Sequence, residues 1–358
     1  MKEKIFINAR IIDPSQSMDE KGSLILNDKG KVKAIGKNVK KTDANKDAEI
    51  IDLKGNILIP GLVDMKAFVG EPGYEYKENF RTLSQAALAG GVTSIVTMPN
   101  TKPIIDNVSM VDFIIRRGRD KANVNLFPCA SITKQCEGKL MTEFGLLAGR
   151  GIIGFSDVNK TIQNTELMSR VMNYASDLDI LIMQHAEDYE LSKNSCINES
   201  EVATRLGLQG VSDIAEKIII ERDLSLLSKY PCRYHINQIS SKNSLKVIKT
   251  NKSNGIKFST GVSINNLSLN QNDIGEFRTF LKLSPPLRNE EDRLALIDGI
   301  KNALIDVIVS DHIPEDEESK RLPFSQAATG SIGIETLLSL SLELYHNCLL
   351  YTSDAADE

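Results

Sequence analysis

Histidine is scarce in this chain: four residues in 358, at positions 185, 235, 312 and 346. A site that needs several imidazoles to hold metal ions has almost no supply to draw on. Cysteine is equally uninformative as a framework. The five residues (Cys129, Cys136, Cys196, Cys232, Cys348) are odd in number and form no Cys-x-x-Cys pair, so they read as reduced thiols of a cytoplasmic protein. Positive charge is in deficit. With 43 Lys and Arg against 48 Asp and Glu, the net charge is −5, which argues against nucleic acid as a partner. The clusters RRGRDK and KTNKSNGIK read as solvated helix faces. No apolar run approaches the ~18 residues of a membrane span, so no membrane partner is expected. The start, MKEKIFINARIID, lacks an apolar signal-peptide core and reads as a strand. No Gly-x-Gly-x-x-Gly follows GSLILNDKG, which removes support for dinucleotide binding.

What is present is a globular composition: 41% apolar, 25% charged and 23 glycines, enough for a sizeable core. Residues 1–57 read as a small β module, with alternating, β-branched runs around the turn signals Asp28-Lys29-Gly30, Gly55-Asn56 and Pro60-Gly61. From 58 to 347 short apolar strands alternate with amphipathic stretches, as in VTSIVTMPN before SMVDFIIRRGRD and ILIMQHAED before VSDIAEKIIIERDLSLLSKY. That alternation predicts parallel strands with crossover helices. Polar residues fall at the strand ends: Asp64, Asn100, Asp157, His185, Gln238 and Asp311. In a (β/α)8 barrel that rim is where chemistry sits. An open doubly wound sheet is the competing architecture.

The ordered runs ILIPGLVDM, EPGYEYKENF, AALAGGVTSIVTMPNTKPIIDN, IMQHAEDYEL, NESEVATRLGLQG, SPPLRNEEDRLALIDGI, SDHIPEDEESKRLPF and GSIGIETLLSLSLEL resemble the dihydroorotase family of the amidohydrolase superfamily, from the first residues to about Asn347. The resemblance implies an α/β fold, a (β/α)8 barrel with a flanking β-sandwich. It also implies the reversible cyclisation of carbamoyl-aspartate to dihydroorotate. That chemistry uses metal-activated hydroxide, a Lewis acid on the amide and a carboxylate proton shuttle.

Position by position, the resemblance also marks what is missing. Where the family has His-x-His-x-Arg, this chain has Lys66, Ala67, Phe68, Val69 and Gly70. The bridging acid after Asp157 is Val158, and Asn159 follows. Gln238 stands at a ligand histidine, with His235 matching the histidine before it. The family's Pro-His-His is Ile264, Asn265 and Asn266; its asparagine before Pro-Pro-Leu-Arg is Ser284; its histidine after Ala-Pro is Glu315. Of the implied metal ligands only His185 and Asp311 stand, Asp311 also as proton shuttle, and of the substrate contacts only Asn100. All three are expected to be vestigial. Two ligands fall short of the three that a catalytic zinc requires. His185 is expected to hydrogen-bond Asp311 or Asp157, Asp311 to bond loop N–H groups, and Asn100 to support its own Met-Pro-Asn-Thr turn. Lys66 is expected to fill a vacated cation site near Asp311.

The glycines and prolines of the scaffold stand (Gly61, Gly73, Gly90, Gly91, Pro99, Pro285) while the ligands do not. The expectation is a kept fold with an emptied site: no cofactor, and a role as the non-catalytic partner of the aspartate transcarbamoylase catalytic chain, oligomeric at full length. The segment Val211–Tyr230 is a candidate partner surface. The alternative is an active dihydroorotase, or a related cyclic-amide hydrolase, with a degraded zinc site. The barrel is expected to be incomplete at its C-terminus, and residues 348–358 to be a sequence artefact without a family counterpart.

Overall fold

The computed structural model describes residues 2–347, 349 and 350. Cys348 and residues 351–358 lie outside them, and with them most of the tail read above as an artefact. Two compact units divide between Leu62 and Val63, later than the 57/58 boundary drawn from composition. Strand pairing explains the difference. β5 (Ile57–Leu58) pairs in parallel with β1 (Lys4–Asp13), so Leu58 belongs to the first unit.

The first unit is one mixed five-stranded sheet in the order β3–β2–β1–β4, with β5 also on β1. β1 runs antiparallel to β2 (Met18–Leu26) and parallel to β4 (Glu49–Asp52), and β3 (Val32–Gly36) is the outer strand beside β2. Ile5, Ala9, Ile11 and Ile25 bury its apolar face. The described residues of this unit form one mixed sheet.

The second unit is the barrel. β6 (Leu62–Ala67), β7 (Val92–Thr97) and β8 (Asn125–Pro128) form one sheet; β9 (Leu181–Gln184), β12 (Arg233–Ile236), β13 (Ser259–Ser263) and β14 (Val307–Val309) form another. Phe155 stands between them as a one-residue strand, bridging Ala130 and Ile182 in parallel. Ala67 bridges His312 in parallel and closes the ring, with Phe68 N–H donating to His312 C=O at 2.9 Å. The eight strand positions of a closed barrel are therefore all present, and the barrel expected to be incomplete has its strands complete. A two-stranded ribbon, β10 (Ile197–Asn198) with β11 (Gly210–Val211), is set outside the ring.

Helices follow the strands because the sequence supplies caps at the right places. Asn79, Asn107, Asn164, Ser241 and Asn289 each accept backbone N–H groups at helix starts. The helix Ile214–Lys229 buries Ala215, Ile219, Ile220, Leu224 and Leu227. Much of the face offered as a partner surface is therefore core, although Ile214 and Ile218 are exposed. No helix of the described residues is long and apolar enough to cross a membrane.

Candidate functional site

Residues at alternate positions of a strand point to one side. On β6 that places Asp64 and Lys66 together, and both are buried. Lys66 is the centre of the barrel mouth. Its Nζ lies 3.0 Å from Asp311 Oδ1 and donates to Asn159 Oδ1 at 2.9 Å and to Gln238 Oε1. These three acceptors come from the loops after Phe155, β12 and β14. An ammonium carries three N–H donors; here two go to Asn159 and Gln238, and Asp311 meets the charge as an ion pair. Asp311 is thus engaged by a side-chain cation rather than by loop N–H groups, as had been expected. It sits in a turn with a φ of 52°.

Asp157 is turned elsewhere. It accepts from Thr133 N–H at 3.0 Å and from Thr133 Oγ1. Burial pushes its carboxyl above the usual range, against those hydrogen bonds. Next to it, Val158 holds a φ of 63°, unusual for a β-branched residue. Its side chain packs into an apolar cluster with Val96, Met98, Cys129 and Met183. At the position that the resemblance gives to a bridging acid, the side chain is hydrocarbon.

His185 is 1% exposed. Its Nε2 lies 3.3 Å from Ser284 Oγ and 3.4 Å from Glu187 Oε2, and its Nδ1 is buried with no partner. The expected bond to Asp311 or Asp157 is not made, because Lys66 and Thr133 hold those carboxylates. Burial alone would raise the Glu187 carboxyl; the His185 imidazole brings it below its ordinary value. Asn100 does not build its own turn. Pro99 C=O accepts from Thr101 N–H and Ile105 N–H, and Asn100 Oδ1 is buried and unpartnered. Asn237 Oδ1, Gln238 Nε2 and Asn265 Nδ2 share that condition.

The substrate-clamping position is closed by sterics. Gly70 has a φ of 70°, and a Cβ there would lie 2.3 Å from Glu78 O and 2.8 Å from Tyr74 O. Phe68 is buried, its ring centroid 6.3 Å from that of Tyr74. Glu315 pairs with Lys77.

The donor set does not fit a binuclear zinc centre. Lys66, Phe68, Val158 and Gln238 stand at four positions that the resemblance gives to ligands, and of the two implied ligands that persist Asp311 pairs with Lys66 while His185 faces Ser284 and Glu187. Among the described residues no three His, Cys, Asp or Glu side chains come together in a way that could hold a metal ion. The thiols offer no nucleophile: burial pushes Cys129 and Cys232 up to about 12 and raises Cys136 further.

Sequence reasoning missed Asn159, Glu187, Glu78 and Lys77. The charge change at Glu315 was the one available signal, since an acid at a histidine position asks for a cation.

A closed parallel barrel with its polar residues at the C-terminal mouth is the (β/α)8 architecture. The structure aligns with L-hydantoinase from Arthrobacter aurescens at a TM-score of 0.83 and 21% identity, over 97% of this chain and 78% of that one. Dihydropyrimidinase from Brevibacillus agri NCHU1002 aligns at 0.80 and 20%, over 97% and 78%. Those likenesses establish the fold. The family comes from sequence. Residues 55–244 match the family model described as dihydro-orotase-like. The chain is 40% identical over 345 residues to the dihydroorotase of Syntrophus aciditrophicus, covering 96% of this chain and 80% of that protein. It is 42% identical over 345 residues to that of Ehrlichia chaffeensis, covering 96% and 76%. This chain belongs to the dihydroorotase family.

Proposed function

We propose that this member of the family has exchanged its metal centre for an internal ion pair and serves pyrimidine biosynthesis as a non-catalytic partner of aspartate transcarbamoylase. One observation carries the first half: Lys66 Nζ lies 3.0 Å from Asp311 Oδ1 and donates to Gln238 and Asn159. A lysine ammonium supplies charge but neither a Lewis-acid face nor a bound hydroxide, the two things that amide chemistry of this type takes from metal. Gly70 and Glu315 add that an anionic substrate would lack the arginine that the resemblance places at position 70 and would meet a carboxylate at position 315. The partner half rests on the preserved scaffold around an emptied site, and an oligomeric assembly follows from it.

The second reading is an active dihydroorotase with a reduced metal site. The names of the relatives favour it, since proteins about 40% identical over nearly the whole chain are dihydroorotases. Purified protein decides between the two. Metal analysis giving less than a tenth of an ion per chain, with no carbamoyl-aspartate cyclisation before or after zinc addition, is the expected result. Stoichiometric zinc with turnover that chelation removes would establish the second reading. Mixing with the transcarbamoylase of the same organism should give one peak on size exclusion; two peaks and unchanged transcarbamoylase activity would remove the partner role.

A further inference from the structure

Between β6 and β14 the described backbone meets in a single bridge, Ala67–His312, backed by the Phe68 N–H to His312 C=O bond. The neighbouring pair β13–β14, by contrast, is in register over three residues. The closing edge of the barrel is therefore poor in ladder hydrogen bonds, and side chains cross it instead. Asp64 accepts from Ser310 N–H at 3.1 Å and from Ser310 Oγ. Lys66 pairs with Asp311 at 3.0 Å. Glu78 Oε2 lies 3.1 Å from His312 Nε2. Gly333 N–H donates to His312 Nδ1 at 3.2 Å, which puts the ring proton on Nε2, facing Glu78. Lys77 pairs with Glu315. In order, 64, 66, 77 and 78 meet 310, 311, 315 and 312, so every link joins the first barrel strand and its loop to the last strand and its loop.

The geometry points to a charge-paired seam: Lys66 is a tethered cation that closes the first and last strands on each other, so that the barrel holds its mouth shut with no metal ion. A bound metal gathers ligands from several strand ends and ties them. Lys66 gathers Asn159, Gln238 and Asp311 in the same way, and it cannot dissociate. The pair is buried on both sides, with side-chain exposures of 2% and 4%. Removing one partner strands the other charge, whereas removing both leaves a site that hydrocarbon can fill. The upper pair, Lys77–Glu315, is more exposed, at 19% and 11%, and contributes less. This inference rests on the metal-free reading above.

The test compares full-length wild type, Lys66→Met and Lys66→Met/Asp311→Leu by thermal melting and amide hydrogen exchange, each with and without EDTA. Wild type should melt unchanged in EDTA. Lys66→Met should melt roughly 10 °C lower, with faster exchange confined to 64–70 and 310–315, and the double variant should recover at least half of that loss. A Lys66→Met melt within about 1 °C of wild type, or exchange accelerated evenly through the barrel, would overturn the seam. If Lys66→Met yields no folded protein, Lys77→Met is read in its place, with a drop of roughly 3 °C and the same local exchange pattern expected, and no drop counting against the seam. Bound zinc together with a melt lowered by EDTA would instead overturn the metal-free reading, so the two failures are told apart.

Discussion

The two sides of the barrel mouth meet their buried polar groups differently. Along the edge where β14 meets β6, charges are spent in pairs, Lys66 with Asp311 and Lys77 with Glu315, and His312 hydrogen-bonds Glu78. Around β7, β9, β12 and β13, polar atoms are left over. Asn100 Oδ1, His185 Nδ1, Asn237 Oδ1, Gln238 Nε2 and Asn265 Nδ2 are buried without partners, whereas Asp311 Oδ1, which also accepts no hydrogen bond, has the Lys66 ammonium beside it. A buried charge is far more costly to leave alone than a buried amide, so a counter-charge is essential on the first side and dispensable on the second. The comparison teaches where a substitution should cost most stability and where it should cost least.

The largest effect should come from breaking the charged side. Asp311→Leu leaves the Lys66 ammonium with only neutral acceptors, and a loss of about 3–5 kcal/mol in urea unfolding is expected; a loss under 1 kcal/mol would mean that the pair is not the anchor of that edge.

Acid should reveal the next effect. His235 is buried, with Nδ1 at 2.8 Å from Ser259 Oγ, and burial lowers its pKa from 6.5 to about 4. Between those values the unfolded chain binds a proton that the folded chain refuses, so stability rises with pH from 4 to 6.5 and falls on acidification through that window. The full swing is about 3 kcal/mol. Chemical denaturation at pH 7 and pH 4.5 should show a steeper loss for wild type than for His235→Gln, and parallel curves would refute the assignment.

Rebuilding the substrate clamp should also cost stability. At Gly70 a side chain meets Glu78 O and Tyr74 O and must hold a φ of 70°, so Gly70→Arg should lose about 2 kcal/mol without gaining affinity for dihydroorotate in calorimetry. Wild-type stability with measurable binding would show that the loop yields.

The smallest effect belongs to the second side. His185→Gln gives up one nitrogen that has no partner and one that has long contacts, and a change within about 1 kcal/mol is expected. A loss as large as that of Asp311→Leu would erase the contrast between the two sides.

Several of these features were readable along the chain. Strand and helix periodicities, the capping asparagines and the motif order depend on neighbours in sequence, and they led to the barrel and to the family. The emptied ligand positions were equally plain, because an ion-binding residue type is a local property. Even Lys66 could be matched with Asp311, since a lone buried ammonium demands an anion. What the chain order did not disclose was which partner each remaining group would take. His185 turned to Ser284 and Glu187 because its expected carboxylates were already engaged, and Asn159, distant from Lys66 in sequence, became one of its acceptors. Those choices depend on competition among groups brought together only by ring closure. Local sequence determined the elements and the residue types at the site; the closing of β14 onto β6 decided how the buried charges were neutralised, because a charge shielded from solvent must be met by whichever group the fold places within reach.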